Sequence, residues 1–506
     1  MSGAVRKVVI IGRDAAAWLS ALTLQRSFGR TGVEIELVEL PSTLGPEDGF
    51  VTLPSQRAFH QLLGLDETRL LRASKGVYSL GQRFSNWSGA AAPFIHAYDT
   101  HGVALNRVDF FQHWLRARAS GLSVPLEDFS LGAVAARQGR YVIFNEATSG
   151  FSRATHGYNL SAIPYLVAIG KVALHEGLRH SRGEVREVRH DGRQISAITL
   201  ADGRELKADL FIDASGREAR LLRELEPGDN FESWQHWLPF DRRMVASAPA
   251  LHPLPAFNQV SAFKSGWIGI FPLADRTVLV TSYASAATGE ADIAQLTSAL
   301  SGLRIEGDAV TEQTRAGGRR QHWLGNCVAV GDTATRLDPL DANHLQLLQT
   351  GLSWLVTLFP THPEDMPESA VYNQKMSEHA AGVRDFQVAH MHLNQRYGDP
   401  AWDAPREQAP PASLAQKLDL FRARGVVAMN DNETFQEENW TSVLAGHGLL
   451  PQAWDPLADA VPEQELIGNF QRMLGFIGTE VQSMPTLQDH MELTAPQQPE
   501  SDYIFG

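Results

Sequence analysis

The chain has 506 residues, enough for two or three ordinary domains or one large two-module protein, and its 43% hydrophobic and 20% charged content is that of a globular chain with a sizeable core. A net charge of -14 argues against nucleic acid or an anionic membrane as main partner, since both need a basic footprint. The single cysteine, Cys327, rules out an intrachain disulfide and points to a reducing cytoplasm, and no segment approaches the ~20 apolar residues of a membrane span.

Arg6-Lys7 followed by Val8 to Ile11 superficially resembles a secretion signal, but the apolar run is too short and Arg13-Asp14 interrupts it. The same run reads as a strand ended by Gly12, and Ala15 to Leu24 as a helix of strong helix formers. Val33 to Glu39 returns to strand alternation and finishes on an acid about 27 residues after Gly12. A strand-rich block follows from Val185 to Ile212, cut by the hairpin signals Asp191-Gly192 and Asp202-Gly203. Alternating runs between Val260 and Ser282 predict another sheet. Cys327 to Val330 predicts a buried strand ahead of a long apolar helix over Leu345 to Phe359. After Pro360 helical patterns dominate, with Pro405 to Pro411 expected as a loop and the last ten or so residues as poorly ordered.

The first of these units has the outline of a dinucleotide site: strand, turn, helix N-terminus and a ribose-holding acid, Glu39. Its turn, Gly12-Arg13-Asp14-Ala15-Ala16-Ala17, is a poor G-x-G-x-x-G. Ala17 tolerates close helix packing. Asp14 sets a carboxylate where phosphates would approach, or else caps the helix in their place, while Arg13 offers a compensating charge. Two further strand-to-turn signals, Asp213-Ala214-Ser215-Gly216 and Val330-Gly331-Asp332, stand in the order found in two-module FAD enzymes.

Further along stand Gly49-Phe50-Val51-Thr52-Leu53-Pro54-Ser55, Phe84-Ser85-Asn86-Trp87, Lys264-Ser265-Gly266-Trp267, Trp323-Leu324-Gly325-Asn326-Cys327, Pro339-Leu340-Asp341, Arg384-Asp385-Phe386 and Val443 to Leu449. In these stretches, and over nearly its whole length, the sequence resembles the flavin-dependent tryptophan halogenases. The resemblance implies an α/β fold: an FAD-binding Rossmann-like module of the flavin monooxygenase type, an inserted substrate-side sheet and a helical C-terminal lobe. It divides the chain into a discontinuous module over 1–360, with the sheet interleaved at about 90–155 and 226–314, and a lobe over 361–506. It also implies FAD, reduced by a separate flavin reductase, at Gly12, Arg13, Ala16, Glu39, Phe50, Val51, Val185, Asp332, Asn343, His344 and Leu345. In that family the reduced flavin, oxygen and halide supply hypohalous acid, which a lysine and a glutamate direct onto a small aromatic substrate.

Several chemical positions differ. The family lysine aligns with Ser79, which carries no charge, and Lys75 lies four residues away along a strand-like run. The glutamate aligns with Asp341. Ala342-Asn343-His344 replaces Ser-Thr-Gly, making His344 either an acid-base group or a packed helix-start residue. Phe50 replaces the glutamate of the family's G-E-A-T segment. Gly269 replaces a tryptophan of W-x-W-x-I-P, either opening the wall beside the flavin or packing in a core strand. His390-Met391-His392 alternates without a carboxylate or cysteine at ligand spacing, so no metal site is expected. Three readings follow. One is an FAD-dependent halogenase- or monooxygenase-type enzyme acting on a tryptophan- or indole-like substrate without the lysine. Another is a non-catalytic relative that binds a ligand or partner with an inherited fold. The third is a conventional tryptophan halogenase whose catalytic lysine comes from elsewhere.

Overall fold

The computed structural model describes residues 4–88, 92–144, 153–226, 228 and 230–493. The C-terminal residues expected to be poorly ordered lie outside that set. Lys7–Gly12 forms the centre of a six-stranded sheet, with the parallel strands Leu210–Ala214 and Glu34–Glu39 on its two sides. Cys327–Ala329 and Arg179–Arg182 extend the parallel set, and Trp323–Leu324 closes one edge antiparallel. Alternation decides which core each residue joins: Val8 and Ile10 enter the main cluster, Val9 and Ile11 a second one. The Asp14–Phe28 helix covers one face and packs on Ala162–His175, where Gly170 lets the Trp18 ring approach.

Gly12 ends its strand because nothing larger fits: a Cβ there would lie 2.4 Å from the Ala214 Cβ and 2.6 Å from its carbonyl oxygen. The predicted hairpins are present as Val185–His190, Ile195–Leu200 and Glu205–Leu206, with Gly192 and Gly203 at φ 88° in their turns.

A seven-stranded sheet stands beside this module, in the order Glu306–Gln313, Arg242–Pro249, Arg276–Tyr283, Gly266–Pro272, Asn258–Phe263, Gly81–Ser85, Phe94–Ala97. The chain enters it by a corner. Val77–Ser79 pairs with Gly157–Ser161, and two residues later Gly81, at φ 153°, lies so close to the His96 carbonyl that a Cβ would sit 2.3 Å away.

Helices dominate beyond Pro360: Glu368–His392, Pro400–Glu407, Ala412–Arg424, Glu437–Gly446 and Glu463–Ser483. Here the structure corrects the loop expected from Pro405. That proline is buried inside the Pro400–Glu407 helix, which Pro400 opens at a position needing no donor. No described helix is long and apolar enough to cross a membrane.

Gly12→Val should cost about 3 kcal/mol or more by driving the two central strands apart, read as a lowered denaturant midpoint. An unchanged midpoint would contradict the packing described at Gly12.

Candidate active site

A cavity of about 410 Å³ opens at the carboxyl ends of the central strands. Its lining brings together Arg13, Ala16, Phe50, Asp332, His344 and Leu345 from the sequence-derived set. Gly12, Val51, Val185, Glu39 and Asn343 are not in that lining. Two helix N-termini meet there, those of Asp14–Phe28 and Asn343–Thr357, and neither carries a side-chain cap. Their free backbone donors suit an anionic group such as a pyrophosphate or a reduced flavin ring. Gly331, at φ 59°, brings the Val330-Gly331-Asp332 turn against the first helix, since a Cβ on it would lie 2.9 Å from Ala16. These features fit the phosphate and ring portions of a flavin.

The phosphate turn corrects one expectation. Asp14 lines the cavity but does not cap the helix: at φ 56° its carboxylate accepts from Ser42 and Thr43, tying that loop over the turn. Arg13 pairs with Glu218 at 3.5 Å. Glu39 is already engaged, its Oε1 accepting from Trp18 Nε1 at 3.1 Å and its Oε2 from His180 and Arg182. Burial pushes the Glu39 carboxyl up, yet the bonds from Arg182, Trp18 and His180 hold it below its ordinary value.

Residues 338–345 form the wall behind the cavity. Asp338 anchors them, accepting from Trp267 Nε1 at 3.1 Å, Ser282 Oγ at 2.8 Å and the Leu340 amide. Burial pushes its carboxyl up to about 6. Gln387, from the Glu368–His392 helix, donates to the carbonyls of Asp338 and Leu340. Gly269 does not open this wall: a Cβ on it would lie 2.5 Å from the Phe271 ring and 3.0 Å from Trp267, so those two rings close over the glycine.

The same loop holds an unusual residue that is outside the cavity lining. Asp341 and Ala342 both occupy the left-handed region, at φ 66° and 58°, where each side chain costs roughly 1–2 kcal/mol. The Asp341 side chain is 1% exposed, and neither carboxylate oxygen accepts a hydrogen bond from a described residue. Its one ionic neighbour is His390, whose Nε2 stands 3.3 Å from Oδ1 without hydrogen-bond alignment. His390 Nδ1 in turn meets His447 Nε2 at 2.8 Å. Burial, with His390 adding to it, drives His447 well below its ordinary value, so that ring is neutral. Phe84 stacks on His390 at 4.5 Å, and Phe386, Phe435 and Trp440 continue the aromatic enclosure. Burial takes His96 down to about 4, against the opposing charge of Asp341, and raises the Tyr98 hydroxyl.

Ser79 is buried at the sheet corner, where its hydroxyl donates to the Gly81 carbonyl at 3.1 Å. Its cross-strand partner is Gly157, and a Cβ there would lie 3.2 Å from the Tyr98 ring, so Ser79 and Tyr98 share one side of the corner. Lys75 is exposed on the turn before that strand. Among the described residues no histidine, cysteine, aspartate and glutamate group could hold a metal ion. The sequence reading missed His96, Tyr98, His390 and His447. A usable signal was the i, i+4 spacing of Phe386 and His390, which places both on one helix face.

Asp341→Asn replaces a buried carboxylate whose oxygens accept no hydrogen bond with a residue that tolerates left-handed backbone, and should stabilise the protein by on the order of 1 kcal/mol, measured by denaturant unfolding. A destabilised variant would contradict the orphan state of this carboxylate. Acid should weaken the fold through buried histidines. Burial lowers His60 from 6.5 to about 3, and His96, His101 and His322 from 6.5 to about 4. Because these folded values lie below the unfolded one, their contribution is complete above pH 6.5 and drains as pH falls through 4. His322→Gln should flatten the fall in thermal midpoint between those pH values, and an unchanged slope would contradict this assignment.

Comparison with known proteins agrees with this fold. The profile of the tryptophan halogenase family matches residues 7–463. The chain is 26% identical over 504 residues to tryptophan 7-halogenase RebH of Lentzea aerocolonigenes, covering 92% of this chain and 93% of the relative. Among solved structures it resembles BrvH, a flavin-dependent halogenase from Brevundimonas sp. BAL3, at TM-score 0.90 and 29% identity over 97% of this chain and 99% of the other. Xcc4156, a flavin-dependent halogenase from Xanthomonas campestris, matches at TM-score 0.92 and 28% identity, over 98% and 100% of the two chains. With the family profile covering most of the sequence and both folds superposing along their length, this chain belongs to the tryptophan halogenase family.

Proposed function

We propose that the protein is an FAD-dependent oxidoreductase that oxidises an indole-like aromatic held at Asp341, with halogenation weak because Ser79 stands where the family lysine would. The observation that carries this reading is the buried Asp341 carboxylate, unsatisfied and in left-handed backbone, between Pro339 and His344 of the cavity lining but outside that lining itself. Reduced FAD, delivered by a separate reductase, would supply two electrons, so that one oxygen atom of O2 enters the substrate and the other leaves as water.

In this reading the N-terminus of Asp14–Phe28 and Arg13 hold the phosphates. Phe50, Pro339, His344 and Leu345 bound the ring portion. Trp267 and Phe271 wall it off, and Asp341 accepts the proton the aromatic ring gives up. The division into a flavin module through residue 360 and a helical lobe beyond it, and a cytoplasmic location, belong to the same proposal. Ser79 can offer a hydrogen bond but neither a cation nor an amine that holds a halogen. Halide remains a possible co-substrate only through unguided hypohalous acid.

One observation favours the non-catalytic reading instead: Glu39, the expected ribose partner, has both oxygens occupied by Trp18, His180 and Arg182. Flavin titration separates the two. FAD should bind and quench on the purified protein, and Ala16→Glu should abolish that binding by placing an anion at the helix N-terminus while preserving the helix. No binding at high added FAD would sink the enzyme reading. With a flavin reductase, bromide and indole, mass spectrometry should show oxygenated product exceeding brominated product. Ser79→Lys should raise the brominated product by about a hundredfold. A wild-type protein that already brominates as its main reaction would overturn the role given to Ser79.

A further inference from the structure

We infer that a chain of buried tyrosine and histidine rings is an electron path that carries an oxidising hole from the cavity to a terminal phenol, Tyr141. It rests on the proposed redox chemistry of the cavity only for the source of the oxidant. The path starts at Phe50, which lines the cavity and packs edge-on against Tyr165, 5.7 Å between ring centres. From Tyr165 it runs to His60 at 5.6 Å, then Tyr158 at 5.9 Å and His156 at 6.0 Å. His156 lies 4.9 Å from Tyr78, and Tyr78 stacks on Tyr141 at 4.5 Å. The six rings beyond Phe50 are buried, which shelters a hole on them from reductants in solution.

Core packing alone would gather aromatic rings; the hydroxyl partners give the path its direction. A phenol yields an electron readily only when its proton leaves too, because the oxidised ring is a strong acid. At Tyr141 the proton acceptor is built. Its hydroxyl meets His156 Nδ1 at 3.0 Å, and His156 Nε2 meets Glu67 Oε1 at 3.1 Å. Arg57 Nε stands 2.9 Å from the other Glu67 oxygen. Burial pushes the Glu67 carboxyl up, yet His156 and Arg57 hold it below its ordinary value. A carboxylate only accepts, so Nε2 carries the histidine proton and Nδ1 is the open base. Tyr141 then gives one electron to the path and its proton to Nδ1, leaving a neutral phenoxyl radical beside an imidazolium paired with Glu67. The electron fills the hole made by a one-electron oxidant at the cavity. Tyr165 is less well served. Gln56 Nε2 donates to His60 Nε2 at 3.3 Å, so that nitrogen also accepts the Tyr165 hydroxyl, at 2.8 Å. Burial lowers His60 to about 3, and its Nδ1 has no partner among the described residues. The Tyr158 hydroxyl likewise has none. Tyr165 and Tyr158 pass the hole on, and Tyr141 keeps it.

Hole injection at the cavity, with no flavin present, tests this. Cys327 is buried, so a ruthenium tris-bipyridyl photosensitiser can be attached selectively to Thr43→Cys in the cavity lining of the full-length protein. With hexaammineruthenium(III) as soluble electron acceptor, a flash should leave a long-lived tyrosyl radical, read by electron paramagnetic resonance. Adding Tyr141→Phe, which keeps the ring, should abolish that signal, and adding Tyr165→Phe should slow its appearance. Tyr397→Phe, at an exposed residue off the path, should leave it unchanged. Thermal midpoints confirm that each variant is folded. A long-lived radical surviving Tyr141→Phe, no tyrosyl radical in the parent, or a rate of appearance untouched by Tyr165→Phe would each overturn the inference. If the hole reaches Tyr141 while FAD does not bind, the proposed oxidation fails and the electron path stands. If FAD binds and an aromatic is oxidised while no hole reaches Tyr141, the reverse holds.

Discussion

The carboxylate of Asp341, buried and held in left-handed backbone, is the constraint around which the site is arranged. A chain folding only for stability would not keep a charge there, since desolvation and strain both oppose it. It persists because its surroundings fix it. Asp338 is tied to Trp267 and Ser282 of the seven-stranded sheet, Gln387 holds the carbonyls of the same loop, and His390 stands against the carboxylate itself. Sheet and helical lobe thus grip one short loop from two directions.

That loop joins two environments of opposite character. Its Pro339, His344 and Leu345 line a cavity at the carboxyl ends of parallel strands, where uncapped helix termini favour an anion. Its Asp341 stands beside His390 and the aromatic rings packed on it, with the buried Asp338 in the same loop. In the proposed function flavin chemistry on one side and an aromatic reactant on the other would need such a partition, because water reaching the reactive centre would divert it. The closing of Trp267 and Phe271 over Gly269 maintains the partition despite the missing side chain.

The architecture was largely legible in the residues. Gly12, the strand ending at Glu39, the Asp-Gly hairpins and the long helix after Asp341 follow from local patterning that tertiary packing did not override. Pro405 misled because a proline near a helix end that is already short costs little, a matter of context rather than type. Asp14 misled for a related reason: the motif specifies where a side chain starts, not that Ser42 and Thr43 wait for it 28 residues on. Half of the site was similarly hidden. Asp341 could be picked out from its position in a motif, but its contact with His390, and that ring's meeting with His447 57 residues further on, joins distant segments, which no local pattern reports.

A crystal structure of the protein with FAD and indole tests the central claim most directly. It should show the isoalloxazine ring against Pro339 and Leu345, and indole on the other side of that loop with its N–H on Asp341. Flavin density outside the cavity, or indole bound away from Asp341, would contradict the account.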